Sequence, residues 1–594
     1  MAKITLRRIS LILILLIFQN SLLLAQRTTI ELSIKKQIEL SDQAIEAEIL
    51  SSESFWDSEH HNIYTKHTLK VYKVFKGQNS ATVDMIVPGG VLDFEAEKVS
   101  HSIELKQGDV GMFMLRSTEN SRKFSSSTTQ LIFEAVGADQ SYFRYDLATN
   151  RAANPYQKLD DISNKLYTEV IEASNLSEPL VISDLNVLLP NKTSNKRLTE
   201  VYRKVNSFSA TEYTAGTNAV LTVTGEGFGV EKGTVAFSNA DYGGYLKTDV
   251  LPSQILSWTD SEIKVEIPEF AGTGLFTIKT TDGSTVDSSS PITINYAQTN
   301  MEYNLGSGNT AFNTRHIATN GEGGYSFTMN SNFASSGAKP AFMAALENWS
   351  CQTGINWEMS SDITNENRDV EDGINLITFD ENNSMPASKL AQCKSRYKAC
   401  YEDGSLKWYV TEMDLIFNDR SDWNFSEAAP GNSAVDLQSV ALHELGHGHQ
   451  LNHVIDMNKI MHYSIVAGDM KREIGAYDLA GALDVESRST SAAICGRLSM
   501  TNVSCSTLDT EDFVLNSELT FFPNPAKDYV NINNKGNSVI KAIEIYAING
   551  SKIQRVNYSN PQKILFNVSH LAQGLYMMNI ETDFGNVMHK LVVN

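Results

Sequence analysis

The run Val440 to Tyr463, VALHELGHGHQLNHVIDMNKIMHY, constrains this chain more than any other. His443 and His447 stand four residues apart in a segment whose Val440, Leu442 and Leu445 suit a helix, so both imidazoles project from one face about one turn apart. Imidazoles placed in this way can seat a metal ion. Glu444, beside the first ligand, is held near the metal without being forced to coordinate it, which suits a general base acting on a metal-bound water. His453 comes six residues after His447, enough chain to leave the helix, turn and bring a third imidazole to the same ion. Three neutral ligands leave one position open, which is the catalytic arrangement rather than the closed structural one.

Met461, within Ile460-Met461-His462-Tyr463, follows eight residues beyond His453. The whole resembles the metzincin zinc endopeptidases, whose pattern is H-E-x-x-H-x-x-G-x-x-H followed by a methionine turn. The resemblance implies zinc (Zn2+) on His443, His447 and His453, Glu444 as the base, and Met461 as the apolar floor beneath the metal. It also implies a role for Tyr463, two residues after the methionine, where the astacin and serralysin branches carry a tyrosine that approaches the metal and hydrogen-bonds the oxyanion. One position departs from the pattern: Gln450 stands where the family has glycine, and a side-chained residue at positive φ costs about 1 to 2 kcal/mol. Glu473 is a rival third ligand, since other H-E-x-x-H enzymes draw a glutamate from a later helix. His449 and His462 read as solvated rather than ligating.

With 594 residues the chain has room for about four domains. Lys3, Arg7 and Arg8, then the apolar Ile9 to Phe18, then Leu23-Leu24-Ala25 give residues 1–25 the layout of a secretory signal peptide. No later stretch approaches the roughly 18 uninterrupted apolar residues of a membrane span, so no transmembrane segment is expected in the mature chain. A net charge of −21 without a basic stripe argues against nucleic acid as a partner. In an exported protein, clustered cysteines favour disulfides. The expected pairs are Cys393 with Cys400 and Cys495 with Cys505, leaving Cys351 over; a pairing of Cys351 with Cys393 or Cys400 stays open.

Residues 26–153 read as a β-rich domain, a propeptide or an accessory module, with period-two alternation at Leu69 and Val71 and at Val83, Met85 and Val87. His60, His61 and His67 read there as a solvated strand edge. Residues 26–300 hold no cysteine, so the matrixin device of a propeptide thiol on zinc is unavailable, and latency would rest on steric cover or a carboxylate. Residues 154–207 read as a linker. Residues 208–297 alternate between glycine-rich turns as a small antiparallel sandwich requires. Ala215-Gly216-Thr217, Val223 to Gly229, Ser257 to Asp260 and Ile267-Pro268 make this module resemble an immunoglobulin-like IPT/TIG domain.

Residues 301–490 form the metzincin-like domain. Phe342, Leu346 and Trp349 mark a core-facing helix stripe, Ile374 to Phe379 a buried strand, and Met413 to Phe417 a strand expected to border the cleft, where an extended peptide could add by main-chain hydrogen bonds. Asp369, Glu371 and Asp372 offer oxygens for Ca2+ as a second candidate cation. Residues 491–518 read as a disulfide extension and linker. In 519–594, Phe522-Pro523-Asn524-Pro525-Ala526, Ile543 to Tyr546 with Asn549-Gly550, Leu571 to Tyr576 and the closing Lys590 to Val593 resemble a type IX secretion C-terminal sorting domain. That resemblance implies a Bacteroidetes-like Gram-negative cell, an encounter with the type IX machinery, and a secreted or surface-attached product.

The expected fold class is therefore multidomain: an α+β metzincin-like protease domain flanked by all-β modules. The expected function is a secreted zinc endopeptidase hydrolysing peptide bonds of extracellular proteins, with protein or peptide substrates as partners. A non-catalytic cell-surface adhesin on a protease scaffold is the alternative.

Overall fold

A computed structural model describes residues 31–118, 131–185, 202–504 apart from 432 and 465–467, and 519–594 apart from 535–538, 548–551, 559–562 and 583–585. The expected signal peptide and Cys505 lie outside the described residues. The chain divides into two compact units, one up to Val503 and one from Ser504 onward. Among the described residues, strands far outnumber helices in both. Among the described residues, no helix is long and apolar enough to cross a membrane.

The N-terminal domain is organised around two long antiparallel strands, Gln43–Trp56 and Ile63–Lys76, whose alternating apolar residues feed two cores. Residues 154–185, expected as linker, belong to this domain. Ile162, Leu166, Val170 and Leu185 are buried in its core, and Leu180–Val181 pairs with Ile63–Lys76. The helix Tyr167–Ser174 presents too much apolar surface to remain a solvated tether.

Next comes a sandwich of two four-stranded sheets, one made of Lys204–Phe208, Val220–Glu226, Glu262–Glu266 and Ile255–Trp258, the other of Lys247–Asp249, Thr234–Ser238, Thr277–Lys279 and Thr285–Asp287. Its closing strand Thr293–Gln298 runs on into the following domain and pairs there with Leu451–Asn452.

The third domain sets helices Ala338–Thr353, Leu437–Gly448 and Ala476–Ser491 against a sheet ordered Trp357–Thr364, Tyr325–Asn330, Asn375–Phe379, Ser405–Phe417, Ala391–Glu402. Phe342, Leu346 and Trp349 all point into the core, and Trp349 Nε1 donates to Leu442 O across the first two helices at 2.9 Å. Met413–Phe417, expected to border the cleft, lies instead inside the sheet, between Asn375–Phe379 and Ala391–Glu402. Ala391–Glu402 is the rim strand. Its free edge is filled by Glu95–Val99, which leaves the N-terminal domain to pair with it antiparallel, Val99 opposite Lys394 and Glu97 opposite Arg396.

Cys400 is bonded to Cys495, with Cα atoms 5.7 Å apart, which corrects the expected pairings of both. Cys393 is a buried free thiol, and Cys351 is disulfide-bonded. The physical reason is that Cys393 and Cys400 share one extended strand, where seven residues span about 23 Å, far beyond disulfide reach. Of the acids considered for calcium, Asp369 is paired with Lys394 at 2.8 Å and Glu371 with Lys398 at 3.2 Å, while Asp372 accepts from Ile374 N.

The second unit is a small two-sheet β module around Val530, Ile532, Ile543, Ile545 and Ile580.

Candidate metal centre

The helix Leu437–Gly448 is buried on almost every side in the core of the third domain, its polar Ser439, His443 and Glu444 included. Asp436 caps it, accepting from Ser439 N at 3.0 Å, and is itself paired with Arg472. His443 and His447 share one face, as their spacing requires. Each ring is fixed through Nδ1: His443 lies 2.8 Å from Ile460 O and His447 3.0 Å from Leu451 O. A carbonyl only accepts, so both Nδ1 atoms carry the proton and both Nε2 atoms offer lone pairs.

Those two Nε2 atoms lie 3.1 Å apart. Bare lone pairs at that distance repel unless a positive charge lies between them. A tetrahedral zinc with nitrogens at the usual 2.0 to 2.1 Å would set them about 3.3 Å apart.

His453 reaches the same point because the sandwich holds the chain on its way there. Thr299 N donates to Gln450 O at 2.9 Å, and Leu451 and Asn452 pair with Gln298 and Ala297. Gln450 adopts the left-handed conformation expected at this turn, φ 66°. Its side chain offsets the strain: Oε1 accepts from Tyr397 Oη at 2.9 Å and Nε2 donates to Gly448 O at 3.0 Å, all in the buried interior. A glycine could take the same turn but could not make these bonds. Asp241, from the sandwich, lies 2.7 Å from His453 Nδ1, so the third imidazole is oriented by a carboxylate where the first two use carbonyls.

A fourth histidine, unnoticed in the sequence, joins them. One ring nitrogen from each of His101, His443, His447 and His453 falls within 4.8 Å of all the others. Buried His101 Nε2, His453 Nε2 and Glu444 Oε1 have no hydrogen-bond partner. Ring nitrogens that converge, three of the four rings anchored from behind, are what a zinc site needs, and the residues fit that ion. Burial pushes the His443 imidazole down to about 3 and holds His101 and His447 well below the ordinary range, so these rings are neutral, as ligands must be. No local pattern marks His101; only its position after a strand that docks on the rim distinguishes it.

Glu444 is fully buried beside the cluster, with Oε2 accepting from Ser100 Oγ at 2.8 Å and Oε1 3.4 Å from His101 Nε2. Met461 is buried beneath the helix. A Cβ at Gly446 would fall inside the contact radius of Met461 Sδ, so the packing of Met461 favours glycine there. Asp478, whose carboxyl burial raises above the usual range, accepts from Ile460 N at 3.1 Å and so fixes the turn that carries Met461. Tyr463 is half-buried and lines the same cavity as His447 and His453, its hydroxyl packed against Gly243 of the sandwich. Glu473 is exposed and outside the cluster. His449, expected to be solvated, is buried between Trp349 and Trp357, with Nε2 3.3 Å from Thr353 Oγ1. His67 is likewise buried, 2.8 Å from Ser52 Oγ, where a solvated strand edge was expected.

Residues 322–484 match the Matrixin family, and residues 520–594 match the Secretion system C-terminal sorting domain. The first match implies a zinc metallopeptidase domain, and the second indicates secretion or surface attachment by the type IX route of Bacteroidetes-type bacteria. No curated protein matches the chain. Among solved structures it is similar to a gamma-CGTase from Alkalophilic bacillus clarkii, at 12% identity over 62% of this chain and 42% of that one, with a TM-score of 0.13. It is also similar to the BSP domain of a biofilm associated protein, at 9% identity over 92% and 81%, again with a TM-score of 0.13. At such scores neither likeness carries an argument.

Proposed function

We propose that this chain is a secreted zinc-dependent endopeptidase acting on extracellular proteins, with His443, His447 and His453 as the ligands of its working state and Glu444 as general base. The observation that carries the reading is the set of three imidazoles, each anchored at Nδ1, whose free nitrogens converge beside a buried carboxylate. Zinc, when bound there, supplies Lewis acidity towards the scissile carbonyl and acidifies water. Glu444 takes the proton of the attacking water and returns it to the leaving amine. Its burial suits the task, because a carboxylate with one uncommitted oxygen holds a reacting water firmly in place. Tyr463 lines the same cavity and donates to the developing oxyanion. Substrate lies extended along the edge of Ala391–Glu402 that Glu95–Val99 occupies here, once that strand is withdrawn.

Residues 208–297 serve as an IPT/TIG-type module that steers His453 through Asp241 and the Thr293–Gln298 strand, a role beyond that of a spacer. The adhesin alternative has no observation in its favour, since a scaffold freed from catalysis has no need to keep Glu444 with all three ligands. The experiment is to purify the exported protein, measure bound zinc, and follow casein digestion after removal of the N-terminal domain, with and without phenanthroline. One zinc per chain and chelator-sensitive cleavage are expected. Zinc-free protein, or cleavage indifferent to Glu444→Ala, refutes the proposal.

A further inference from the structure

His101 is brought to the cluster by a strand that uses the rim as a substrate would. From Glu95 to Val99 the N-terminal domain pairs antiparallel with Ala391–Glu402. Ser100 continues the register, its N–H donating to Cys393 O at 2.9 Å and its Oγ accepting from Cys393 N at 2.9 Å. Lys389 Nζ donates to Ser100 O at 2.6 Å. Ion pairs clamp the strand on both sides, buried Glu97 with Arg396 at 3.3 Å and half-buried Lys98 with Glu269 at 3.0 Å. Then the extended path breaks: His101 takes φ 54°, a left-handed turn that histidine tolerates better than most residues but that costs energy. The turn swings an imidazole towards the cluster. Its ring centroid lies 5.4, 5.6 and 5.0 Å from those of His443, His447 and His453, and its side chain is 1% exposed.

We propose that His101 is a fourth metal ligand, so that the full-length chain holds a closed four-histidine centre and residues 95–101 act as a built-in occupant of the substrate cleft. This rests on the reading of the cluster as a zinc site. Two features of the strand follow from it. Four imidazoles complete a tetrahedral shell and leave no place for water, and Ser100 Oγ takes up one oxygen of the base, so both halves of the catalytic apparatus are engaged at once. The strand also escapes cleavage, because an imidazole rather than a carbonyl faces the metal and the backbone turns away at that residue. Latency in this chain thus uses neither a thiol nor a carboxylate. It also assigns the peptide-binding edge: residues 95–100 trace, on Ala391–Glu402, the line an extended substrate takes once the N-terminal domain is withdrawn.

The test uses the full chain, zinc-loaded, with zinc release to a chromophoric chelator and the visible spectrum of the cobalt-substituted protein as readouts. His101→Ala is expected to keep one zinc, to release it at least about 10-fold faster, and to shift the cobalt spectrum as solvent replaces an imidazole. Release and spectrum identical to wild type, while His443→Ala has lost its metal, would overturn the His101 assignment and leave the protease reading standing. If His443→Ala binds zinc as well as wild type, the metal-centre reading falls and the inference with it. Should His101→Ala fail to fold, zinc-edge X-ray absorption of the wild type decides: four imidazoles support the proposal, and three with an oxygen overturn it.

Discussion

Asp241 lies 212 residues from His453 in sequence, yet its carboxylate is 2.7 Å from the ring proposed to present Nε2 to the metal. A hydrogen bond to a charged group contributes about 1.5 to 3 kcal/mol. Asp241's side chain is 37% exposed, so solvent screening places this one at or below the bottom of that range, about 1 to 1.5 kcal/mol. Loss of an outer partner of a metal-bound histidine weakens metal affinity by about 10- to 100-fold. Both arguments meet near 10-fold, and Asp241→Ala should raise the zinc Kd by about that factor. Asp241→Asn keeps an acceptor oxygen without the charge and should cost roughly half as much in free energy, about a 3-fold change. The assay is competition against a chelator of known affinity on the full chain, with His453→Ala as reference. If Asp241→Ala binds zinc as tightly as wild type while His453→Ala does not, the ring is held by its main chain alone and the reasoning about the sandwich is refuted.

Four further outcomes are expected. Glu444→Ala should retain zinc, fold and secretion yet abolish peptide hydrolysis in protein freed of its N-terminal domain; metal analysis beside a casein assay checks this. In the same material Tyr463→Phe should lower kcat about 10- to 1000-fold with KM little changed, as loss of one oxyanion donor does, and an unaltered kcat would reduce Tyr463 to packing. Gly446→Ala forces a methyl group onto Met461 Sδ and should destabilise the third domain by about 1 to 3 kcal/mol, read as a drop in its thermal transition. Replacing Cys400 and Cys495 by serine removes a crosslink spanning 95 residues and should cost about 2 to 4 kcal/mol, measured by denaturant unfolding under non-reducing conditions.

Much of the helix Leu437–Gly448 was legible because its geometry is local. Two histidines four apart share a face whatever surrounds them, and the apolar residues around them mark a buried helix. The turn at Gln450 was also foreseeable as a left-handed residue, though not the reason glutamine is tolerated, since Tyr397 lies 53 residues away. Alternating strands in the sandwich followed from period two alone, whereas the terminal module was legible through its resemblance to a sorting domain. Where local pattern is silent, the sequence reading failed. It joined Cys393 to Cys400 by proximity along the chain, although a strand carries such neighbours apart. It set Met413–Phe417 at the cleft because nothing in an apolar run tells a central strand from a rim strand.

The sequence by itself determined the chemistry on offer: a helix presenting two imidazoles and a carboxylate, a third imidazole within reach, a methionine turn and an exportable chain. Tertiary structure alone decided what surrounds that chemistry. Ser100 and His101 meet Glu444 across 344 and 343 residues, and Asp241 reaches His453 from another module. A pairing at such separation leaves no trace in periodicity or spacing, because it depends on which sheet edge remains open once the domains have folded. The open edge here is Ala391–Glu402, and the strand that fills it carries the fourth histidine.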